Sequence, residues 1–252
     1  MASAWVQAWQ NNSSAAVTTL TVTIGTGATA NNLLFACVGL QDNPGAITTP
    51  TGWTLRQSHD SGTVASGAYY DRIASGTAAD DFVLTWTTGV EVAITISEYS
   101  GLNATAPNEA SNENITYVSS DQTAGAAINS SAATAVEAAG RAISGIGNPD
   151  SRDGAETEIT PGGGFALNSE EQAGTGNTPS AFIGSLAYAS AGSKNTDWSS
   201  SVGAAWKSYA FIGVYKDAGG GGGGGRIMSS LAGLGGLAGH GGIAGIGGGL
   251  AA

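Results

Sequence analysis

Chemistry at a protein site needs titratable groups held close together, and this sequence offers few of them. A hydrolytic relay requires a histidine beside a nucleophile and an acid. The chain holds 2 histidines, His59 and His240. His240 lies in a glycine-rich tract, where no rigid shell can hold it. His59 follows a strand in Gln57-Ser58-His59-Asp60 and reads as a solvated loop residue. With Cys37 as the single cysteine, these residues do not make a conventional zinc site. Carboxylates are paired at Asp80-Asp81 and Glu170-Glu171. A glycosidase needs two carboxyls facing one another across a cleft. Neighbours on a strand point to opposite faces, so both pairs read as solvated turn or strand-edge residues. The run Asp150-Ser151-Arg152-Asp153-Gly154 lacks the ladder of acidic ligands that calcium takes. No glycine-rich stretch is followed by Lys-Ser or Lys-Thr, so no phosphate loop is present. The expectation is a chain with no catalytic residues, no metal and no cofactor, hence not an enzyme.

Aromatic residues are the remaining chemical resource, with 6 Trp and 7 Tyr. Exposed rings on a β-sheet can stack on sugars. Trp53 and Trp86 sit among alternating strand residues and read as core. Trp5, Trp9, Trp198 and Trp206 could lie on either side, so sugar binding is open but has no location. Cys37 lies in the apolar run Leu33-Leu34-Phe35-Ala36-Cys37-Val38 and reads as a small buried hydrophobe.

The elements that must position these residues are strands. Val17–Ile24 alternates Thr with Val, Leu and Ile. Asn32–Leu40 is a short continuous apolar run, as in a strand buried on both faces. Trp53–Ser58, Ala68–Ile73, Phe82–Thr87 and Val90–Tyr99 follow. Turn chemistry separates them at Asp42-Asn43-Pro44-Gly45, Pro50-Thr51-Gly52, Ser75-Gly76 and Thr88-Gly89. No long helical stripe exists; Ala132–Gly140 comes nearest, and its small residues fit a strand as well.

The second hundred residues repeat the first weakly. Thr49-Pro50-Thr51-Gly52-Trp53-Thr54-Leu55 parallels Thr160-Pro161-Gly162-Gly163-Gly164-Phe165-Ala166-Leu167. Asn43-Pro44 parallels Asn148-Pro149, Trp86 parallels Trp198, and Val92–Tyr99 parallels Tyr209–Tyr215. The expected fold is therefore all-β: an antiparallel β-sandwich of jelly-roll-like type. It comprises two related halves, residues 1–106 and 107–218, packed as one extended sandwich or standing as two lobes, followed by a glycine-rich arm over 219–252.

Composition bounds the partners. Charged residues make up 11%, against roughly 25% in an ordinary soluble domain. Such a surface loses little by desolvation when copies or partners press against it. The net charge is −11, with 8 Lys+Arg spread along the chain, which excludes a phosphate-binding face and so a nucleic-acid partner. The N-terminus has no basic and apolar regions of a signal peptide.

At Gly219 the composition changes. Seven glycines, Gly219–Gly225, form a spacer. Beyond Arg226 a period of three sets in, with Gly233, Gly236, Gly239, Gly242, Gly245 and Gly248 on one row. Leu231, Leu234, Leu237, Ile243 and Ile246 form another. Three residues per turn is polyproline-II-type geometry. The glycine row lets backbones approach closely, and the Leu/Ile row needs an apolar partner. An α-helix is disfavoured, since each glycine costs about 1 kcal/mol. Ile227–Ala252 is long and uncharged enough to span a bilayer. Its glycine load and period weigh against a membrane and for an assembly arm. The period of three favours a trimer within a homo-oligomer.

Five segments carry a resemblance. They are Asn32–Ala36, Thr49–Leu55, Ala68–Gly76 (Ala-Tyr-Tyr-Asp-Arg-Ile-Ala-Ser-Gly), Phe82–Trp86 and Ile96–Gly101 (Ile-Ser-Glu-Tyr-Ser-Gly). Together they resemble a β-sandwich module of tailed-phage and prophage structural proteins, and the Leu-Ala-Gly and Ile-Ala-Gly units resemble tails of phage virion proteins. The resemblance covers Asn32–Leu102 best. It implies a virion surface protein without catalytic residues, of head decoration, cement or spike type. Its localisation would be the virion, assembled in the host cytoplasm, and its partners other capsid or tail proteins. The alternative it implies is a tail-fibre or adhesin subunit that binds host surface glycan.

Overall fold

The computed structural model describes residues 2–219 apart from 42, 61–64, 123–126, 131, 152–158, 175–177 and 201–205. The described chain is nearly all strand, in antiparallel sheets. It contains no α-helix, only a 3-10 turn at Ala78–Asp80.

Residues 4–100 build the first sheet. Its strands are β1 (Ala4–Val22), β2 (Leu33–Gln41), β3 (Ile47–Thr48), β4 (Thr54–Asp60), β5 (Ala65–Ile73) and β6 (Phe82–Ser100). The order is β1-β6-β2-β5-β4, with β3 also paired to β6. Residues 108–216 build the second sheet and two small ones. Their strands are β7 (Asn108–Gln122), β8 (Ala127–Asn129), β9 (Ala133–Ala135), β10 (Gly140–Ser151), β11 (Ile159–Pro161), β12 (Ala166–Gln172), β13 (Thr178–Tyr188), β14 (Gly192–Lys194), β15 (Asp197–Ser200) and β16 (Trp206–Lys216). The second sheet runs β12-β13-β10-β16-β7. Read from its other edge, β7-β16-β10-β13-β12 repeats the order of the first sheet strand for strand.

The registers repeat as well. Phe35 pairs with Asp71, which pairs with Thr54; Ile143 pairs with Ser185, which pairs with Ala166. A bulge interrupts β4 between Leu55 and Gln57 and β12 between Leu167 and Ser169. Trp86 pairs with Ile47 of β3, and Trp198 with Pro161 of β11. The turns before β4 and β12 are alike. Trp53 N donates to Pro50 O at 3.1 Å and Phe165 N to Gly162 O at 3.2 Å, with Gly52 and Gly164 at φ +79° and +81°. That left-handed backbone favours glycine.

Two structural facts differ from the sequence expectation. Thr88-Gly89 does not separate two strands, because β6 continues through it to Ser100. β1 likewise begins at Ala4, well before the alternating Val17–Ile24 segment.

The core has layers. β2 is buried on both faces from Leu33 to Leu40. Its even-numbered residues Leu34, Ala36, Val38 and Leu40 meet Trp53, Tyr70, Phe82, Trp86 and Ile94 in one cluster. Its odd-numbered residues Leu33, Phe35 and Cys37 meet Ile143, Ile183, Tyr209, Phe211 and Tyr215 of the second sheet in another. The outer face of the second sheet is covered through Ile128, Ile146, Phe182 and Trp198. It is covered again through Ala133, Phe165, Tyr188 and Val214.

The two sheets exchange polar contacts reciprocally. Tyr215, near the end of β16, donates its hydroxyl to Asp71 Oδ2 at 3.1 Å; Asp71 also takes Arg56 Nε at 2.7 Å. Tyr99, at the matching place on β6, donates to Asn168 Oδ1 at 2.9 Å; Ser185 Oγ donates to the same oxygen at 2.5 Å. Asp71 and Ser185 are register equivalents, and Arg56 and Asn168 are the two bulge residues.

Candidate functional site

Among the described residues, a groove of about 600 Å³ opens on the first sheet's outer side. Strand alternation builds one wall. Phe82, Leu84 and Trp86 point into the core, so Val83 and Thr85 between them face outward. β3 contributes Thr48, and the following turn adds Thr49, Pro50, Thr51 and Gly52. Ala78, Ala79 and Asp81 close the far side. Arg72 of β5 forms the floor. Its Nη1 donates to Thr51 O at 3.1 Å and its Nε stands 3.0 Å from Asp80 Oδ1. A Cβ at residue 52 would overlap the Arg72 guanidinium, so the glycine is what admits this arginine.

Asp80 and Asp81 are not the solvated turn that the sequence suggested. Asp80 is completely buried and caps the Ala78–Asp80 turn. Ser75 N, Gly76 N and Thr77 N, at 2.8–3.3 Å, and Ser75 Oγ at 2.9 Å all donate to its carboxylate. Burial alone would raise its pKa, but these donors hold it below the usual carboxylate range. Asp81 Oδ1 accepts Ile24 N and Gly25 N, each at 2.7 Å. The groove thus combines four threonines with one fixed arginine that two aspartates outweigh. It suits a hydroxyl-rich, uncharged ligand better than an anion.

The other buried carboxylates hold the scaffold. Glu98 accepts Gln7 Nε2 at 2.7 Å, Thr29 N at 2.9 Å and Asn32 Nδ2 at 2.5 Å. Glu109 accepts Val136 N at 2.5 Å and the Tyr188 hydroxyl at 2.6 Å. Burial raises Asp71 above the usual carboxylate range, against the opposing pull of Arg56 and Tyr215. None of these roles was legible in the sequence, because the donors come from distant segments.

The remaining sequence expectations divide. His59 is not a loop residue: it lies in β4 opposite Gly67, its ring 6.2 Å from that of Tyr209. Glu170 and Glu171 sit on edge strand β12, where Asn12 Nδ2 donates to Glu171. Trp53, Trp86 and Trp198 are buried, Trp9 is half-buried, and Trp5 is 42% exposed. Cys37 is fully buried, with its thiol donating to Ile146 O at 3.5 Å, and burial pushes that thiol up. The side chains of Asp150–Gly154 and Trp206 lie outside the described residues. So do His240 and the arm residues Leu231, Leu234, Leu237, Ile243 and Ile246 with their glycines. Among the described residues, no group of three His, Cys, Asp or Glu could hold a metal, and no helix is long and apolar enough to cross a membrane.

No family model, no curated protein and no solved structure matches the chain.

Proposed function

We propose that this chain is a non-enzymatic structural protein of a tailed-bacteriophage particle, of head decoration, cement or spike type, attached or oligomerised through its C-terminal arm. The observation that carries the structural part is the use made of acidic groups. Asp71, Asp80, Glu98 and Glu109 are buried and each is engaged by backbone or side-chain donors that tie segments together. The virion part rests on the motif resemblance and on the low charge.

The finer architecture belongs to the same proposal: an antiparallel, jelly-roll-like β-sandwich made by tandem duplication of one unit, residues 1–106 and 107–218. The repeated strand order, the matching bulges and the reciprocal Tyr99 and Tyr215 contacts support it. The glycine-rich arm, 219–252, would bring its Leu/Ile row to another virion protein or to two further copies.

Difference density between particles with and without the protein tests the virion reading. The expected result is extra density at a fixed head or tail site. A particle that never contains the protein overturns it. A full chain with Leu231, Leu234, Leu237, Ile243 and Ile246 changed to Ser should lose attachment if the arm is the anchor.

A second reading is an adhesin subunit binding host surface glycan, and the threonine-lined groove is the observation that favours it. Saturation-transfer NMR against neutral oligosaccharides tests it. Binding to the native chain, abolished in Val83→Arg, is expected; no transfer from any neutral glycan removes the reading.

A further inference from the structure

We infer, resting on the glycan reading of the groove, that Arg72 and Asp81 are its recognition pair and that they select two neighbouring hydroxyls of one neutral sugar ring. The second half of the chain supplies the comparison. Asp71 and Ser185 are register equivalents, so Arg72 is matched by Leu186: Arg72 pairs with Leu34 as Leu186 pairs with Ala142. The matched turns reach over both residues. A Cβ on Gly52 would overlap the Arg72 guanidinium, and one on Gly164 would lie 3.8 Å from Leu186 Cδ1. Leu186 packs against the cluster that holds Phe165 and Tyr188.

The strand framework thus accepts a leucine at this place as well as an arginine. Apolar packing in place of a buried ion pair is often neutral or stabilising, so the pair of Arg72 with Asp80 is not demanded by the fold. What Arg72 supplies, and a leucine does not, is a hydrogen-bond donor lining the groove.

The existing contacts leave one donor and one acceptor for a ligand. Arg72 Nη1 donates to Thr51 O at 3.1 Å and Nε stands 3.0 Å from Asp80 Oδ1. These contacts fix the guanidinium, and Nη2 has no partner among the described residues. Asp81 Oδ1 accepts Ile24 N and Gly25 N, each at 2.7 Å, while Oδ2 accepts no hydrogen bond among the described residues. Both groups are held before any ligand arrives, which lowers the ordering cost of binding. A fixed donor beside a fixed acceptor suits adjacent hydroxyls: one accepts from Nη2 and the other donates to Oδ2. Arg72 is already countered by Asp80, and Asp81 adds negative charge, so an anionic sugar is disfavoured. Val83 offers the ring an apolar contact, and Thr48, Thr49, Thr51 and Thr85 offer further hydroxyls.

Titration NMR of the full chain with the methyl glycosides of glucose, galactose and mannose tests the inference, with methyl glucuronide as the charged counterpart. These sugars differ in how adjacent hydroxyls are oriented, so one should bind best, and the glucuronide should bind worse. Deoxy analogues lacking either hydroxyl of the selected pair should bind the native chain at least tenfold more weakly. Arg72→Lys keeps a positive charge beside Asp80 but removes Nη2. Asp81→Asn keeps Oδ1 for the two amides but turns the free acceptor into a donor. Each should weaken binding about tenfold or more, and each should bind the preferred glycoside no better than the deoxy analogue lacking its own partner hydroxyl. Melting curves show that the variants are folded, and the deoxy series on the native chain tests the pair even if they are not. Native binding that is indifferent to every deoxy change, or strongest for the glucuronide, overturns the inference and leaves a groove that binds glycans by other groups. Folded variants that both bind like the native chain overturn it as well. Absence of binding by any neutral glycan removes the glycan reading and this inference together.

Discussion

At the residue scale, Tyr209 is closely enclosed between the two sheets. Its hydroxyl donates to Val38 O at 2.9 Å and also contacts Ser66 O. Burial pushes its pKa well up, so it remains a donor across the ordinary pH range. Two glycines make the room, since a Cβ at Gly67 or Gly147 would overlap the ring or hydroxyl. Gly67→Ala should therefore destabilise the fold by about 3 kcal/mol or more, as an overpacked core does at its upper end, measured by denaturant unfolding. Tyr209→Phe keeps the ring and should cost about 2 kcal/mol, from the loss of the hydroxyl's one donated proton to a buried carbonyl. Asp80 gives a pH prediction. Its folded pKa lies below its unfolded one, so its contribution is present above the ordinary carboxylate range and fades as pH falls through the folded value. Asp80→Asn should destabilise by about 3 kcal/mol at pH 7, because Arg72 and the turn lose their charged partner. That gap should narrow below about pH 4, as thermal melts of both chains at several pH values would show. Cys37 should resist thiol-reactive dyes at pH 8 until the chain is unfolded, since it is sealed and its thiol is pushed up.

At the element scale, the long strands join sequence segments that read separately. Phe82–Thr87 and Val90–Tyr99 were legible as strands because their apolar residues alternate. Their union into β6 was not, because Thr88-Gly89 carries turn chemistry. Pairing decides otherwise: β1 and β3 hold the first part of β6, and β1 and β2 hold the second. A Gly89→Pro substitution should break this join and lower the melting temperature, whereas a true turn would accept it. The aromatic ends of β6 and β16 were also legible, but their exchange between sheets was not. Tyr99→Phe and Tyr215→Phe should each destabilise by about 1 kcal/mol.

At the scale of the whole molecule, the shared cluster of Leu33, Phe35, Cys37, Ile143, Ile183, Tyr209 and Phe211 ties the two sheets together. Neither sheet can expose that face without losing a core layer. Residues 4–216 should accordingly unfold in one calorimetric transition, with calorimetric and van't Hoff enthalpies equal. Two separated transitions would show that each half keeps its own core when the other opens.

Local patterns settled a good deal without any coordinates. Alternation and turn residues named most strands, because side-chain period and left-handed turns are properties of a few consecutive residues. The unbroken apolar run from Leu33 marked a strand buried on both sides, and the paralleled Trp86 and Trp198 marked equivalent positions. The fates of Asp80, His59, Glu98 and Tyr209 lay beyond such reading. Whether a polar group is exposed or buried depends on which donors and acceptors reach it, and those come from far along the chain; Tyr209 and Val38 are 171 residues apart. The groove likewise exists only once the sheets assign every strand its neighbours, because its walls come from β3, β5, β6 and the turns between them.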